Sequence, residues 1–384
     1  MFVSDKISQL KSPTILLLTG EASGDIWGAD LSSELKKKWP QSSLLGIGGP
    51  LMENQGVELI ERIDRLSIMG LTGVIKKLPF LLGLKRKISN LLESQQIDLV
   101  IAIDFAGFNM SVIGLAHRRN VKVLYYVVPK VWAWGSARTA RLIEHTDRIA
   151  VIFPFEEEFF RTRGCEVSFV GHPLLDRIQL LSGEKKKFCQ KWGLDPERPI
   201  LALFPGSRPQ EITRHLNLFV ETGFNIKKLY PEIQLVLARA HSIASTEVNV
   251  EGVSIVEDGM GLLSHSRAGL LKSGTVTLEA CLARTPFVTV YKTDPLTFLA
   301  AKKMVKVKNI SIPNLVVNDD KVPEFLQGEA TPENLMKELI PLLKIENPEY
   351  QEMLDYFDLV ESKLGTPGAA GRVVEIADSV LREG

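Results

Sequence analysis

Two loops of this sequence carry residues suited to binding a diphosphate. Phe204-Pro205-Gly206-Ser207-Arg208 follows a short apolar run. Its glycine lets backbone amides approach an anion, and Arg208 supplies a permanently charged fork that matches phosphate geometry. Ser273-Gly274-Thr275 follows another apolar run and opens a helix-like segment, where free amides and the helix dipole attract phosphate. Glu279 lies about one helical turn further along, where its carboxylate can accept hydrogen bonds from ribose hydroxyls. Together the loops indicate a nucleotide diphosphate pocket.

A single carboxylate is placed to move a proton. Asp104 directly follows the apolar run Leu99 to Ile103. A carboxylate at the end of such a strand, facing a cleft, can act as a general base, especially where partial burial raises its pKa. The alternative is an aspartate that caps a helix or closes a turn.

Several cofactor chemistries have no support in the sequence. Gly46-Ile47-Gly48-Gly49-Pro50 has Leu51 where a dinucleotide fingerprint needs its third glycine, and no Walker motif occurs. There is no Asp-x-Asp element, so we expect Arg208 and helix starts to neutralise phosphate without a metal or other cofactor. Three cysteines without zinc-ligand spacing indicate a reducing cytoplasm and no structural metal.

Two further loops have less specific interpretations. Gly20-Glu21-Ala22-Ser23-Gly24-Asp25 follows the first apolar run, and we expect a tight turn in which Ser23 and Asp25 cap the next helix. His172, within Gly171-His172-Pro173, is expected to line a hinge or cleft rather than to perform chemistry.

The elements that must position these loops alternate between apolar strands and helices. Continuous apolar strands in this pattern predict parallel sheets covered on both faces, and two series of them predict two doubly wound α/β lobes that share a cleft. Pro and Gly punctuation places a linker near residues 173 to 188, between lobes at 1–175 and 188–365. From Pro332 we expect helices broken at Pro341, Pro348 and 365–368, with the last one, 366–384, able to pack back on the first lobe. The predicted strands are Thr14 to Leu18, Leu44 to Ile47, Leu99 to Ile103, Lys122 to Tyr126, Arg148 to Ile152, Val167 to Val170, Ile200 to Phe204, Gln234 to Ala238, Val253 to Val256, Gly269 to Lys272 and Phe287 to Val290.

One segment suits a membrane surface. From Leu66 to Leu92 there is no acidic residue, and apolar side chains alternate with cations. Such a face can bury apolar groups among acyl chains and pair with anionic headgroups, although an ordinary helix packed on the sheet would show the same periodicity. The candidate docking residues are Met69, Phe80, Leu81, Leu82, Lys85, Arg86 and Lys87, and a second basic cluster is formed by Lys302, Lys303, Lys306 and Lys308.

Charge and hydropathy exclude other classes. Forty-six basic and 46 acidic residues cancel, so the chain has no global positive field for generic nucleic-acid binding. No run approaches the ~20 apolar residues of a membrane span. The apolar stretch near the N-terminus, Ile15 to Leu18, is too short for a signal peptide.

The order of the motifs resembles the lipid-A-disaccharide synthases from about Ile15 to beyond Pro332. The motifs are Gly-Glu-Ala-Ser-Gly-Asp at 20–25, Gly-Gly-Pro-x-Met at 48–52, Ile-Asp-x-x-x-Phe-Asn at 103–109, Val-Trp-Ala-Trp at 131–134, Gly-His-Pro at 171–173, Pro-Gly-Ser-Arg at 205–208, Ser-Gly-Thr-x-x-Leu-Glu at 273–279 and Ile-Pro-Asn-Leu at 312–315.

This resemblance implies an inverting, metal-independent glycosyltransferase of the GT-B architecture. It would transfer diacylglucosamine from UDP to the 6-hydroxyl of diacylglucosamine 1-phosphate, on the anionic inner leaflet of a Gram-negative-type bacterium. The essential aspartate and arginine of the family fall on Asp104 and Arg208. The UDP contacts fall on Arg208, Ser273, Gly274, Thr275, Glu279 and Asn314, and the acceptor side falls on Glu21, Ser23, Asp25 and Asn109.

The chain departs from the family pattern at three positions. Gly107 replaces a second aspartate, and Val128 and Lys130 replace serines, which makes Lys130 a candidate for binding the acceptor phosphate. Two other classes therefore remain open: another UDP-sugar enzyme of the same fold, and a non-catalytic lipid- or nucleotide-binding relative. The sequence leaves the oligomeric state open, with a homodimer among the candidates.

Overall fold

The structure is a computed structural model that divides the chain into two compact units. One unit contains the described residues up to Pro173 together with those from Thr366, and the other is Leu174–Gly365. The structure describes residues 12–66, 70–94, 97–129, 136–178, 183–240, 243–244, 248–294, 298 and 309–383, with the side chains of 70–77 and 136–137 outside the description.

The first unit is built on a parallel sheet of seven strands. Its order is β3-β2-β1-β4-β5-β6-β7, so the direction of winding reverses between β1 and β4. The central strands are fully buried on both faces, as their aliphatic composition predicts. The strands are β1 Thr14–Leu18, β2 Ser43–Gly48, β3 Glu58–Arg62, β4 Leu99–Ile103, β5 Lys122–Tyr126, β6 Arg148–Val151 and β7 Val167–Phe169.

The second unit repeats this design with six parallel strands. Its order is β10-β9-β8-β11-β12-β13, and its winding reverses between β8 and β11. Two doubly wound α/β sheets confirm the predicted fold class. The strands are β8 Ile200–Phe204, β9 Gln234–Ala238, β10 Ser254–Val256, β11 Ala268–Lys272, β12 Phe287–Tyr291 and β13 Glu324–Leu326.

Helices cover both sheets. Those of the described chain are α1 Ala22–Lys38, α2 Pro50–Asn54, α3 Gly70–Ser94, α4 Ala106–His117, α5 Ser136–Glu144, α6 Pro154–Arg161, α7 Leu174–Ile178, α8 Lys185–Trp192, α9 Pro209–Leu229, α10 Gly259–His265, α11 Thr275–Leu282, α12 Ile312–Val317, α13 Pro332–Leu342, α14 Pro348–Lys363 and α15 Ala369–Arg382, with 3₁₀ turns at Ile63–Arg65 and Gln327–Glu329.

The last helix, α15, belongs to the first unit and contacts α1, β5 and β6. Its valines and alanines are buried, and Arg372 Nε donates a 2.8 Å hydrogen bond to the carbonyl of Val170. At the other end, Arg148 pairs with Glu383 at 2.7 Å. Apolar packing and polar contacts therefore both hold α15 in the unit that contains the beginning of the chain.

Two details differ from the sequence-based expectations. The predicted linker at 173–188 is wrong in extent, because the division falls at Pro173 and residues 174–178 already form α7 of the second unit. Pro341 does not break a helix as predicted, since it lies within the last turn of α13. In the described parts of the chain, no helix is long and apolar enough to span a membrane. All three cysteines are free thiols.

Candidate functional site

A cavity of about 290 Å³ lies in the second unit where its sheet changes winding direction. The ends of β8, β9 and β11 contribute Phe204, Ala238 and Lys272 to its lining. Carboxyl ends of parallel strands at such a switch point are the usual ligand site of doubly wound sheets, since helix starts also converge there. The predicted pocket residues Ser273, Gly274, Thr275 and Glu279 all line it.

An ion pair that sequence reasoning did not identify organises this cavity. Lys272 Nζ lies 2.8 Å from Glu211 Oε1, and the Ser207 amide donates to Glu211 Oε2 at 2.9 Å. Burial alone would raise the pKa of Glu211, but Lys272, the Ser207 amide and Arg208 together hold it below its ordinary value. The only sequence signal was an acidic residue in the first turn of α9. Its role depends on β11, some sixty residues later.

The loop before α9 requires glycine. Gly206 has φ +138°, and a Cβ there would lie 2.4 Å from Cβ of Glu211. His215, one turn further along α9, bonds the Glu211 carbonyl through Nδ1 at 2.7 Å and accepts from the Lys292 amide through Nε2 at 3.0 Å. Burial lowers the pKa of His215 to about 4, so this imidazole is neutral and fixes the start of α9.

Among the ionisable groups that line the cavity, Glu279 has the pKa shifted furthest from its ordinary value. Burial raises its pKa to about 7, and the charge of Arg177 on α7 opposes that rise only in part. The carboxyl therefore changes its charge near neutral pH. A ligand hydroxyl that donates to it would favour the ionised form.

Arg208 lies beside the cavity rather than in its lining. It is the N-cap residue of α9, its side chain is 54% exposed, and its guanidinium lies 4.0 Å from Glu211 Oε1. The long exposed side chain can reach a ligand that extends from the cavity, which keeps the predicted role geometrically open.

Asn314, predicted to contact UDP, makes four hydrogen bonds within the protein. It is buried, its Nδ2 donates to the Val322 carbonyl and Glu324, and its Oδ1 accepts from the Val322 amide and Tyr356. These four contacts give Asn314 a positioning role, and its contact with UDP stays a prediction. Glu324 in turn binds the amides of residues 310 and 311, and the Ile310 carbonyl accepts from Ser273 at 2.7 Å.

In the first unit, Asp104 occupies a strained turn at the matching switch point. Asp104 and Phe105 have φ values of 49° and 50°, and Val127 at the end of the neighbouring strand has φ 55°. The Asp104 amide donates to the carbonyls of Tyr126 and Val127 at 3.2 and 3.0 Å. Left-handed conformations of such residues cost about 1–3 kcal/mol each and persist only where surrounding contacts enforce them. The strain is concentrated at the predicted base.

Asn109 and Tyr125 are two of those enforcing contacts. Asn109 Nδ2 lies within hydrogen-bond distance of the carbonyls of Leu18, Ile103 and Asp104, and Tyr125 Oη donates to the Asp104 carbonyl at 2.7 Å. Both side chains are buried. Burial, followed by the charge of Asp104, keeps the pKa of Tyr125 well above its ordinary value. Through Nδ2, Asn109 thus holds the turn at Asp104, while its acceptor-side role stays a prediction.

The glycine-rich loop at 20–25 lies against the same turn. A Cβ at Gly20 would lie 2.1 Å from the ring of Phe105, so only glycine fits. Glu21, exposed, is the N-cap of α1, and Ser23 is partly buried in the first turn. The predicted capping of α1 by Ser23 and Asp25 is wrong, because no side chain caps it.

Asp25 instead caps α2. It is 3% exposed, and its carboxylate accepts from the amides of Gly49, Leu51 and Met52 at 2.7 to 3.1 Å. Three amide donors enclose the carboxylate and fix the loop after β2, and the acceptor-side role of Asp25 stays a prediction.

In α3, some of the predicted membrane-docking residues contact other parts of the first unit and others are exposed. Phe80 and Leu81 pack partly against the core, and Lys87 Nζ donates to the Ile60 carbonyl at 2.9 Å, so these three do not form a free face. Leu82 is 58% exposed and Arg86 is exposed, while Lys85 is partly buried. Leu78, one turn before Leu82, is 50% exposed and extends the stripe.

Other predicted residues fall elsewhere. Met69, Lys130 and the basic cluster Lys302, Lys303, Lys306 and Lys308 lie outside the described residues. His172 is buried against the rings of Trp27 and Phe153, and burial lowers its pKa to about 3, so it is a neutral packing residue. Within the described ranges, no three His, Cys, Asp or Glu side chains are grouped to hold a metal ion.

Comparison with known proteins shows which family this sequence matches. A model of the lipid-A-disaccharide synthetase family matches residues 15–365. The lipid-A-disaccharide synthase of Geobacter sulfurreducens is 35% identical, covering 96% of this chain and 98% of its own. That of Coxiella burnetii is 34% identical, covering 97% and 100%.

Solved structures share the fold at low identity. A UDP-GlcNAc 2-epimerase from Neisseria meningitidis bound to UDP-GlcNAc superposes with TM-score 0.69 and 14% identity, covering 95% of this chain and 100% of its own. A glycotransferase of kitacinnamycin superposes with TM-score 0.67 and 14% identity, covering 97% and 100%.

Two doubly wound lobes, each with its predicted site residues at a switch point, define the GT-B fold class, to which the similar solved glycosyltransferase and epimerase belong. With the family match over nearly the whole chain and relatives above 30% identity, the class can be narrowed further. The chain belongs to the lipid-A-disaccharide synthase family.

Proposed function

We propose that this chain transfers 2,3-diacylglucosamine from UDP to the 6-hydroxyl of 2,3-diacylglucosamine 1-phosphate, giving the β-1,6 disaccharide and UDP. The observation that carries the proposal is the cavity between β8 and β11, lined by Ser273, Gly274, Thr275 and Glu279, in a member of this family. The start of α11 supplies backbone donors for the diphosphate, and Glu279 supplies an acceptor for ribose hydroxyls.

The proposed chemistry is an in-line displacement. The acceptor O6 forms a bond to the anomeric carbon, and its proton passes to the Asp104 carboxylate. The bond from that carbon to the phosphate oxygen breaks, and its electron pair remains on UDP. Arg208 and the start of α11 stabilise this growing charge, so their contribution is larger in the transition state than in the bound substrate. Protein groups suffice for each step, so no metal or other cofactor is proposed.

We further propose that the enzyme works peripherally on an anionic inner-leaflet surface. Leu78, Leu82 and Arg86 follow one another at intervals of four along α3, which gives an exposed apolar stripe ending in a cation. Such a stripe suits shallow insertion beside anionic headgroups, where diacylated substrates are found.

The testing experiment measures UDP release and disaccharide formation from the two diacylated substrates with EDTA present. Wild type should form disaccharide, whereas Asp104→Asn and Arg208→Ala should lose at least about 10²-fold in kcat. Asp104→Asn should still bind UDP, which separates lost chemistry from lost binding. UDP binding without turnover would favour a binding-only relative, and conversion of another UDP-sugar would favour a different enzyme of this fold.

A further inference from the structure

A second cavity, of about 450 Å³, lies in the first unit beside the start of α4. It is bounded by α3, α4 and the end of α5, and the first-turn residues Ala106 and Gly107 form part of its wall. Ala106 is two residues after Asp104, so this cavity begins at the turn that holds the proposed base.

The cavity is lined by basic groups and by no acidic one. The basic side chains are Lys85, Arg118, Arg138, Arg141 and His145. Among the described residues, the lysine and the three arginines have no salt-bridge partner within 4.0 Å. Glu144, largely exposed, has its carboxylate 4.0 Å from His145 Nε2. Cations that line one cavity repel one another, and a bound anion would relieve that repulsion.

Helix periodicity explains why the basic side chains of α5 lie together. Arg138, Arg141 and His145 follow intervals of three and four, which places them on one face of the α5 segment. His145 Nδ1 is buried without a hydrogen-bond partner among the described residues. Burial lowers the pKa of His145, and the cations His117, Arg118 and Arg141 act in the same direction while Glu144 opposes them.

Small residues on α4 keep the cavity open. A Cβ built at Gly107 would meet nothing within 4 Å, whereas one at Gly114 would lie 3.1 Å from His145 Nδ1. Gly107 also lies in the first turn of a twelve-residue helix, where backbone amides and the helix dipole favour an anion. The shape therefore leaves room for an anionic group next to free amide donors.

We infer that this cavity binds the anomeric phosphomonoester of the acceptor glycolipid. The inference rests on the proposed function and deepens it. A base at Asp104 requires the 6-hydroxyl beside it, and the phosphate on the same sugar is then within a ring's width of that hydroxyl. The cavity begins two residues after Asp104, at Ala106 and Gly107. A phosphomonoester carries about −1.5 to −2 charges at pH 7, which suits several guanidinium forks better than a singly charged phosphodiester headgroup.

Direct binding tests the inference without enzymatic turnover. Titration of glucosamine 1-phosphate against uncharged glucosamine, followed by NMR, should show that the phosphate is required. Arg138→Gln/Arg141→Gln removes two positive charges from the cavity wall, and Arg161→Gln/Arg163→Gln removes two positive charges at the end of α6, outside the cavity lining. We expect the first double variant to weaken glucosamine 1-phosphate binding about tenfold and the second to change it little.

Measurement of KM values in uncharged detergent micelles is the second test of the inference. Arg138→Gln/Arg141→Gln should raise KM for the phosphorylated acceptor about tenfold and leave KM for the UDP donor unchanged. This double variant should partition to anionic vesicles as wild type does.

The outcomes separate the candidates. Loss of vesicle partitioning, with glucosamine 1-phosphate binding and acceptor KM unchanged, would identify a phospholipid headgroup site and overturn the inference. Equal effects of the two double variants would also overturn it, because the cause would be a general loss of positive charge and not the loss of the cavity's cations. If the phosphate binds with the expected variant pattern but no disaccharide forms, the cavity assignment stands and the proposed function fails.

Discussion

The Tyr125 hydroxyl donates a 2.7 Å hydrogen bond to the backbone carbonyl of Asp104, not to its carboxylate. The bond therefore acts on the backbone conformation of a residue with φ 49° and does not involve its carboxylate oxygens. Because burial keeps the pKa of Tyr125 well above its ordinary range, the hydroxyl remains a donor across the working pH range.

Tyr125→Phe should therefore lower kcat more than it changes KM for either substrate. Loss of one hydrogen bond of about 0.5–1.5 kcal/mol loosens the turn, and we expect a three- to tenfold fall in kcat. Tyr356→Phe is the matched control, because it removes a buried hydroxyl that bonds Asn314 at 3.0 Å in the second unit. Equal losses of kcat in the two variants would show a general effect of stability.

Gly20 and Phe105 should be energetically coupled. Gly20→Ala places a methyl 2.1 Å from the Phe105 ring and should destabilise the fold by about 1–3 kcal/mol, measured by urea unfolding. In the background Phe105→Ala the same change should be nearly neutral, so the double-mutant cycle should give a clear interaction energy. Additive effects would mean that the ring is not what excludes a side chain at position 20.

Uridine binding should strengthen as pH rises through about 7. Burial raises the pKa of Glu279 to about 7, and only its ionised form is a pure acceptor for ribose hydroxyls. Uridine is the probe because the terminal phosphate of UDP would titrate in the same range. Calorimetric Kd values between pH 5.5 and 8.5 should show this dependence in wild type and lose it in Glu279→Gln.

The same group makes stability depend on pH in the opposite direction. Burial disfavours the ionised carboxylate, so the unfolded chain, with its ordinary pKa of 4.5, releases the proton before the folded chain does. Destabilisation by Glu279 is absent below pH 4.5, grows as pH rises and is complete above about 7. Glu279→Gln should thus raise Tm at pH 8 and leave it nearly unchanged at pH 4.5, whereas an equal rise at both would contradict this account.

Vesicle binding should depend on the exposed stripe of α3. Leu78→Ser/Leu82→Ser removes two exposed apolar groups and should reduce partitioning to anionic vesicles roughly tenfold. Leu229→Ser/Ile345→Ser is the control, because these residues of the second unit are 59% and 55% exposed. Equal reductions in the two double variants would indicate non-specific adsorption instead of docking through α3.

Strand prediction succeeded where strands are continuously apolar. All eleven predicted runs form strands, and the central ones consist of aliphatic residues because parallel strands there bury both faces. The two missed strands lie at sheet edges, as do the predicted strands β7 and β10. β3, Glu58–Arg62, is only partly buried and carries charges, and β13, Glu324–Leu326, has three residues. Each has only two consecutive apolar residues, so pairing with the sheet is what defines them as strands.

The sequence correctly predicts that residues close together in the chain share one cavity. Ser273, Gly274, Thr275 and Glu279 share one helix start, so spacing alone places them together. Asn109 and Asn314 differ, because their partners lie on distant segments that only the folded chain brings near. Sequence motifs mark Asn109 and Asn314 as important. They do not show that the side-chain amides of these residues bond other segments of the protein.

The position of α15 affects the order in which the protein can fold during synthesis. The ribosome releases most of the first unit early, but the helix that covers α1, β5 and β6 emerges last, after all of the second unit. Until then, the apolar surface that α15 covers stays open to chaperones and to other nascent chains. The second unit is continuous in sequence, so its folding does not have to wait for α15.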